Sequence, residues 1–458
     1  MVAKQKTRKR SNKKPRDEVL RTLRSVPNST ASVPFIEPSS SAITMEEVLE
    51  RTNMQIALKQ VISNKGCPGT DGMKVEELSR YLIKNWADIK AAILSGKYRP
   101  GNVLRTYIPK ANGSSRALGI PTVLDRLLQQ ALAQRLTRYY DPLFSPQSFG
   151  FRPGRSCHQA ITAAKSYVNE GYKVVVDIDL EKFFDQVNHY RLMSRLSQNI
   201  SDNRVLGLIR DYLRAGILEG GLISTPDKGT PQGGPLSPIL SNIVLDELDQ
   251  ELKTRGHRFV RYADDCLIFV KSQRAGERVM NSISKFLQNK LQLKVNDEKS
   301  TVGMFYTRTF LGFRLSARQA KINISPEAVK RFKEKIRSLT SRSLMGLENQ
   351  IRKLSRYLQG WISYFAITEF PREVKSLDQW IRRRLRILHL KRWRKPLTRA
   401  KKFSKLGMST NDCWFLIKTT KRYCYLSNTK AVNYTLNLRY FKGKGLFFMS
   451  DYYELKAS

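Results

Sequence analysis

Asp264 and Asp265 stand side by side at the centre of a largely apolar stretch that runs from Phe259 to Val270. Burying an ionised carboxylate without a partner is costly, so neither acid can sit in the middle of a covered strand. The stretch is therefore expected to fold as a β-hairpin with both acids at its turn. A second segment, Lys173-Val-Val-Val-Asp-Ile-Asp179, reads as a buried β-branched strand that ends in carboxylates.

Adjacent carboxylates on a tight turn repel each other, which raises the pKa of one of them. A bound divalent cation reverses that cost. Two-metal phosphoryl transfer needs acids that bridge ions roughly 3.5–4 Å apart, and a third acid from another strand completes the set. Asp179 is the candidate third acid. Asp177 competes with it, because residues two apart on a strand share a face and periodicity cannot separate them. Taken alone, Tyr262-Ala-Asp-Asp265 also fits a solvated turn and needs context.

Composition supplies part of that context. Lys and Arg total 82 against 39 acids, a formal charge of +43, and such self-repulsion points to a polyanionic partner, nucleic acid above all. The five cysteines are scattered and form no C-x-x-C pair, so neither a zinc ribbon nor a disulfide framework is indicated, and a reducing compartment fits. No apolar run is long enough for a membrane span. Residues 1–44 read as a basic flexible arm and linker, suited equally to RNA contact or to an organellar or nuclear address. From Ser325 the pattern turns helical. Ser325-Pro-Glu327 is a helix start, with Val329, Phe332, Ile336 and Leu339 on one face. Leu347 to Phe365 and Ile381 to Leu388 continue the pattern. Between Ile381 and Lys405 lie twelve Lys/Arg and no acid, the footprint of a phosphate backbone.

The ordered motifs resemble those of group II intron reverse transcriptases. Arg105-Thr-Tyr-Ile-Pro-Lys110 and Arg116-Ala-Leu-Gly-Ile-Pro121 resemble the fingers blocks, and Ser148-Phe-Gly-Phe-Arg-Pro-Gly-Arg-Ser156 resembles the next block along the chain. Asp179-Leu-Glu-Lys-Phe-Phe-Asp185, Gly229-Thr-Pro-Gln-Gly-Gly-Pro-Leu-Ser-Pro-Ile-Leu-Ser-Asn242, Leu293–Lys299 and Phe310–Phe313 resemble the palm blocks. Trp380-Ile-Arg-Arg-Arg-Leu385 with Trp393-Arg-Lys-Pro396 looks like the thumb, or maturase domain X.

The resemblance implies an α+β right-hand polymerase: fingers and palm over 45–320, a helical thumb over 321–405, and a basic nucleic-acid-binding segment over 406–458. It implies RNA-directed DNA polymerase activity with two Mg²⁺ ions, Mn²⁺ substituting, on Asp179, Asp264 and Asp265. Lys110 and Arg116 would grip the triphosphate of the incoming nucleotide, with Gln232 and Lys299 nearby. Phe184 would lie beneath the deoxyribose, with Phe183 in the core. The spacing to Phe184 and Asp185 in the family pattern favours Asp179 over Asp177. Arg152, Arg382, Arg383, Arg386, Lys391, Arg392 and Arg394 would contact nucleic acid.

The implied partners are an RNA template, a DNA or RNA primer, dNTPs and a group II intron RNA, in a bacterial cytoplasmic ribonucleoprotein. Beyond Lys405 there is no His and only Cys413 and Cys424, so the resemblance is to the compact branch without an HNH endonuclease. Two other readings stay open on the sequence alone: an RNA-binding maturase without polymerase activity, and an intron-free relative serving repair or defence.

Overall fold

The Val-rich segment becomes an inner strand whose sheet partners all come from much later in the chain. The computed structural model describes residues 43–109, 115–225, 228–230, 233–341 and 345–457. Its strands in chain order are β1 (Val103–Pro109), β2 (Ser115–Ile120), β3 (Val174–Ile178), β4 (Ile217–Glu219), β5 (Leu222–Ser224), β6 (Arg258–Tyr262), β7 (Asp265–Val270), β8 (Thr301–Met304), β9 (Phe313–Leu315) and β10 (Ile322–Ile324). The chain passes between two compact units. One holds the residues up to Ser156 together with Lys182–Asp249, and the other holds Cys157–Glu181 and everything from Gln250 onward.

The first unit carries the sheet β2-β1-β4-β5 and helices that include Arg51–Ser63 and Val123–Tyr140. Thr122 starts the latter helix, its hydroxyl oxygen accepting from the Asp125 N–H at 3.1 Å, a capping contact that satisfies one orphan donor of the first turn.

The second unit carries the antiparallel sheet β6-β7-β3-β8. Strand β3 is covered on both faces, which explains its unbroken apolar run. On one side Gly276 lies so close that a Cβ there would fall 2.4 Å from Val302 and within 3.5 Å of Val174 and Val176. On the other, Val175 meets Ile161, Ala164, Leu267, Phe269 and Arg308 around a small cavity.

Helices Pro326–Leu339, Leu347–Phe365 and Pro371–Arg392 come next, with shorter helices to Ala457. Ser325 caps the first of them by accepting from the Ala328 N–H at 3.1 Å. One continuous apolar cluster joins Phe332, Ile351, Leu385, Phe403, Phe441 and Met449. No helix among the described residues is long and apolar enough to cross a membrane.

His389 is buried in this helical core. Its Nδ1 faces the Leu385 carbonyl at 2.8 Å, and a carbonyl only accepts, so Nδ1 carries the proton. Nε2 is then left to accept from the Tyr440 hydroxyl at 3.0 Å. Burial pushes the imidazole down to about 4, against a lesser upward pull from the Leu385 hydrogen bond. A folded-state pKa below the ordinary value gives stability that is present above about pH 6.5 and is lost as pH falls towards about 4. Thermal melts from pH 7.5 to 4.5 should show a progressive loss approaching roughly 3 kcal/mol from this one group. In His389→Gln the starting stability should be lower and the slope over that window shallower; an unchanged slope would clear His389 of the effect.

Candidate active site

The pairing between β3 and β7 brings the acids together. Asp177 lies opposite Leu267 and Ile178 opposite Cys266, so one step further along the register stand Asp179 and Asp265. The hairpin expected around Asp264 and Asp265 is present: Tyr262 pairs with Asp265, and Ala263-Asp264 form a two-residue turn between β6 and β7. Ala263 takes a left-handed backbone, φ +58, a conformation that a two-residue hairpin needs and that costs a residue bearing a Cβ.

Sequence reasoning passed over the residue that braces this turn. Arg261 is wholly buried, and its Nη1 donates to the Ala263 carbonyl at 2.9 Å. The available signal was an Arg set between apolar residues, two positions before Ala263. Beside it, burial and a hydrogen bond with Cys157 push the Tyr262 hydroxyl up to about 12.

Asp179 is fixed through its backbone. Its N–H donates to Ser300 Oγ at 3.0 Å, and its carbonyl accepts from the Asn296 N–H at 2.9 Å. Lys299 Nζ lies 3.6 Å from its carboxylate, with the lysine side chain mostly in solvent. Asp177 shares the same face, one layer further in. Burial pushes it up to about 6, Arg308 pulls it back and Asp179 adds to the rise.

Asp265 is likewise raised to about 6, by desolvation and then by the charges of Asp264, Asp177 and Asp179, with Lys299 opposing. Its surface is open to solvent, and three further carboxylates crowd it. The four acids are an all-oxygen donor set with surplus negative charge, which fits a hard divalent cation. Among the described residues no three His, Cys, Asp or Glu side chains already converge on one point as a finished cation site.

The other expected site residues come from other segments of the chain. Arg116 is exposed on β2, in register with Ile108 of β1. Lys110 and Gln232 lie outside the described residues. Phe183 is 2% exposed and Phe184 9%, their rings edge to face at 5.2 Å. The Phe184 carbonyl accepts from the Thr230 N–H at 2.7 Å. Gly229, at φ +94, passes so near that a Cβ would lie 2.9 Å from the Phe184 carbonyl oxygen. Only glycine fits there. Asn242, fully buried, donates to the Gly150 carbonyl at 2.9 Å and ties two of the sequence motifs together.

Two of the arginines expected to contact nucleic acid turn inward. Arg152 has its guanidinium directed into its own loop: Nε to Asp141 at 2.6 Å, and further donors to the carbonyls of Ser145, Ser148 and Asp141. It braces that loop. Arg386 is buried, and desolvation, then Arg382 and Arg383, lower it to about 10. Arg382 lies over the Phe448 ring, Arg383 reaches the Cys424 carbonyl at 3.5 Å, and Arg392 donates to Gln350 at 3.0 Å. Lys391 and Arg394 are exposed.

Comparison with known proteins adds an independent line. The family described as "Reverse transcriptase (RNA-dependent DNA polymerase)" matches residues 108–315, and "Group II intron, maturase-specific domain" matches residues 329–407. Protein YkfC of Escherichia coli (strain K12) is 32% identical over 306 residues, 58% of this chain and 80% of that protein. The group II intron-encoded protein LtrA of Lactococcus lactis subsp. cremoris is 29% identical over 331 residues, 58% of this chain but 55% of LtrA. The chain thus spans about half of LtrA's length. The retron Mx65 reverse transcriptase of Myxococcus xanthus is 31% identical over 252 residues, 49% of this chain and 57% of that one.

The raised Asp265 gives a test without any turnover. A carboxyl whose folded pKa stands above its ordinary value favours the fold when protonated, so stability falls as pH rises from about 4 to about 6 and stays lower above. A cation that binds only the folded cluster offsets this. Mg²⁺ should therefore raise the melting temperature more at pH 8 than at pH 5, and Asp265→Asn should shrink the gain at pH 8. Equal gains at both pH values would sink the assignment.

Proposed function

This chain belongs to the group II intron-encoded reverse transcriptases, and from that premise we propose that it extends a primer on an RNA template with the carboxylates at the end of β3 and in the β6–β7 hairpin. The reverse transcriptase family works with divalent metal ions. In this reading the ions are two Mg²⁺, replaceable by Mn²⁺, held by Asp179 and Asp264 with Asp265 in support. When bound, such ions lower the pKa of a primer 3′-hydroxyl and neutralise charge on the departing pyrophosphate.

The chain's own residues do the positioning. Ser300 and Asn296 hold the Asp179 backbone, and Arg261 keeps the turn that carries Asp264 and Asp265 in its strained form. Lys299 balances the cluster's charge until substrate arrives. Arg116 and Lys110 would orient the triphosphate, the Arg by its planar fork, with Gln232 beside the base pair. Phe184 would close off the sugar's 2′ side. The basic helical region would bind a group II intron RNA, with Lys391 and Arg394 as its solvent-facing contacts. One observation carries the reading: Asp265, raised to about 6 by desolvation and then by Asp264, Asp177 and Asp179, stands in a carboxylate cluster whose repulsion a catalytic cation would relieve.

Replacing both Asp264 and Asp265 by Ala should abolish primer extension, because the developing charge loses its support. RNA affinity should stay near wild type, since the basic helices supply it. A cDNA yield close to wild type would end the carboxylate assignment.

Sugar choice tests the aromatic pair. A ring under the nucleotide rejects ribose by clash, and removing it relaxes rejection without adding attraction. Phe184→Ala should raise ribonucleotide incorporation relative to deoxynucleotide use. Phe183→Ala should lower stability by about 3–5 kcal/mol with little change in sugar preference. Primer extension with matched nucleotide pools and urea melts read both outcomes, and the reverse pattern would shift the assignment by one residue.

A further inference from the structure

Helix Phe183–Gln186 is a single turn, too short to satisfy its own last carbonyls. The loop at Gly229 supplies the missing donors. The Thr230 N–H donates to the Phe184 carbonyl at 2.7 Å, and the Gly229 N–H to the Val187 carbonyl at 2.8 Å. Two residues beyond Val187, His189 opens helix His189–Ser197 and is buried. Its Nε2 lies 2.6 Å from the Gly229 carbonyl oxygen, and a carbonyl only accepts, so Nε2 carries the proton. The Gly229 carbonyl and the Thr230 N–H are the two ends of one peptide group. A trans peptide is a rigid plane whose C=O and N–H point in opposite directions, and the described backbone has no cis bond. The His189 ring thus grips one end of a plate whose other end holds the Phe184 carbonyl.

We propose that His189 is a positioning residue for sugar selection: through the Gly229–Thr230 peptide it sets where Phe184 stands beneath the incoming nucleotide. The inference rests on the reading of Phe184 as the ring that closes off the sugar's 2′ side. His189 itself touches no substrate in this arrangement. An aliphatic side chain would fill the same buried space without the cost of desolvating an imidazole, so what the histidine adds is its directed N–H. The hydroxyl of Thr230 adds no such hold, being buried with no hydrogen-bond partner among the described residues. Hydrogen bonds in series polarise one another, so a firm grip on the Gly229 oxygen strengthens the bond from Thr230 to Phe184. A small shift of the Phe184 ring is enough to matter, because contact repulsion changes steeply with distance.

The test uses the full chain with Mg²⁺, a primer preannealed to an RNA template, and single additions of dCTP or CTP. His189→Leu removes the donor. It should lower the preference for dCTP, as a ratio of kcat/KM values, by about three- to ten-fold, the worth of one lost hydrogen bond, with most of the change in KM. His189→Gln keeps an N–H donor and should recover most of the preference. In a Phe184→Ala background, His189→Leu should have little further effect, since the ring it acts through is gone. A second measurement needs no leucine variant. The chain has four histidines, so isotope labelling of histidine alone gives an NMR spectrum in which the His189 signal is identified by its loss in His189→Gln. Adding dCTP to the chain bound to a chain-terminated primer on its template should shift the His189 Nε2–H signal, and CTP should shift it less. A histidine that only supports the fold would depress dCTP and CTP use alike, which overturns the proposal. So would a Gln variant no better than Leu, full additivity with Phe184→Ala, or an imidazole signal that dCTP leaves unmoved. If Phe184→Ala itself leaves sugar choice unchanged, the aromatic assignment fails and this inference falls with it. A relaxed choice in Phe184→Ala beside an unaltered one in His189→Leu removes His189 alone.

Discussion

Register between β3 and β7 is the constraint on which the site depends. A slip of one residue would turn Asp177 and Asp179 towards the face where Gly276 packs, because side chains alternate strictly along a strand. The valines prevent that slip. Val174 and Val176 are gripped on one side and Val175 on the other, so the apolar contacts of the strand fix where its acids point. The repulsion among the acids is thereby imposed on the site by packing around it, the usual relation between a stable scaffold and a destabilised functional centre.

Much of this was legible in the sequence because the signals were local. Paired acids between apolar arms can only be a turn, and the Ser-Pro-Glu start at Ser325 and the helical faces after it depend on neighbours three and four residues away. The choice between Asp177 and Asp179 was not legible from period, since both share a face. What distinguishes them in the fold is long-range: Asp179 is clamped by Ser300, and Asp177 sits one layer in against Arg308.

Arginine was the least readable residue type. A cluster of positive charges in sequence says nothing about where each long side chain ends. Arg152 ends on the carbonyls of its own loop, Arg261 on the carbonyl of the β6–β7 turn, and Arg386 inside the helical core. Five donors in a rigid fork suit backbone carbonyls as well as phosphates, and only tertiary structure decides between them. Gly229 shows the converse. Its need for a positive φ and a Cβ-free approach to Phe184 is a backbone reason for a motif that sequence alone presents as a chemical signature.

The threading of the chain between its two units has a consequence for biosynthesis. Strand β3 leaves the ribosome long before β6, β7 and β8, since Val174 precedes its partner Val270 by nearly a hundred positions. Until that later segment emerges, the most β-prone stretch of the protein has no sheet to join. Closing so distant a pairing is slow, and an unpaired apolar strand is a template for association with other nascent chains. Here the strand that leads into Asp179 is also one that must wait for sheet partners made far later in the chain.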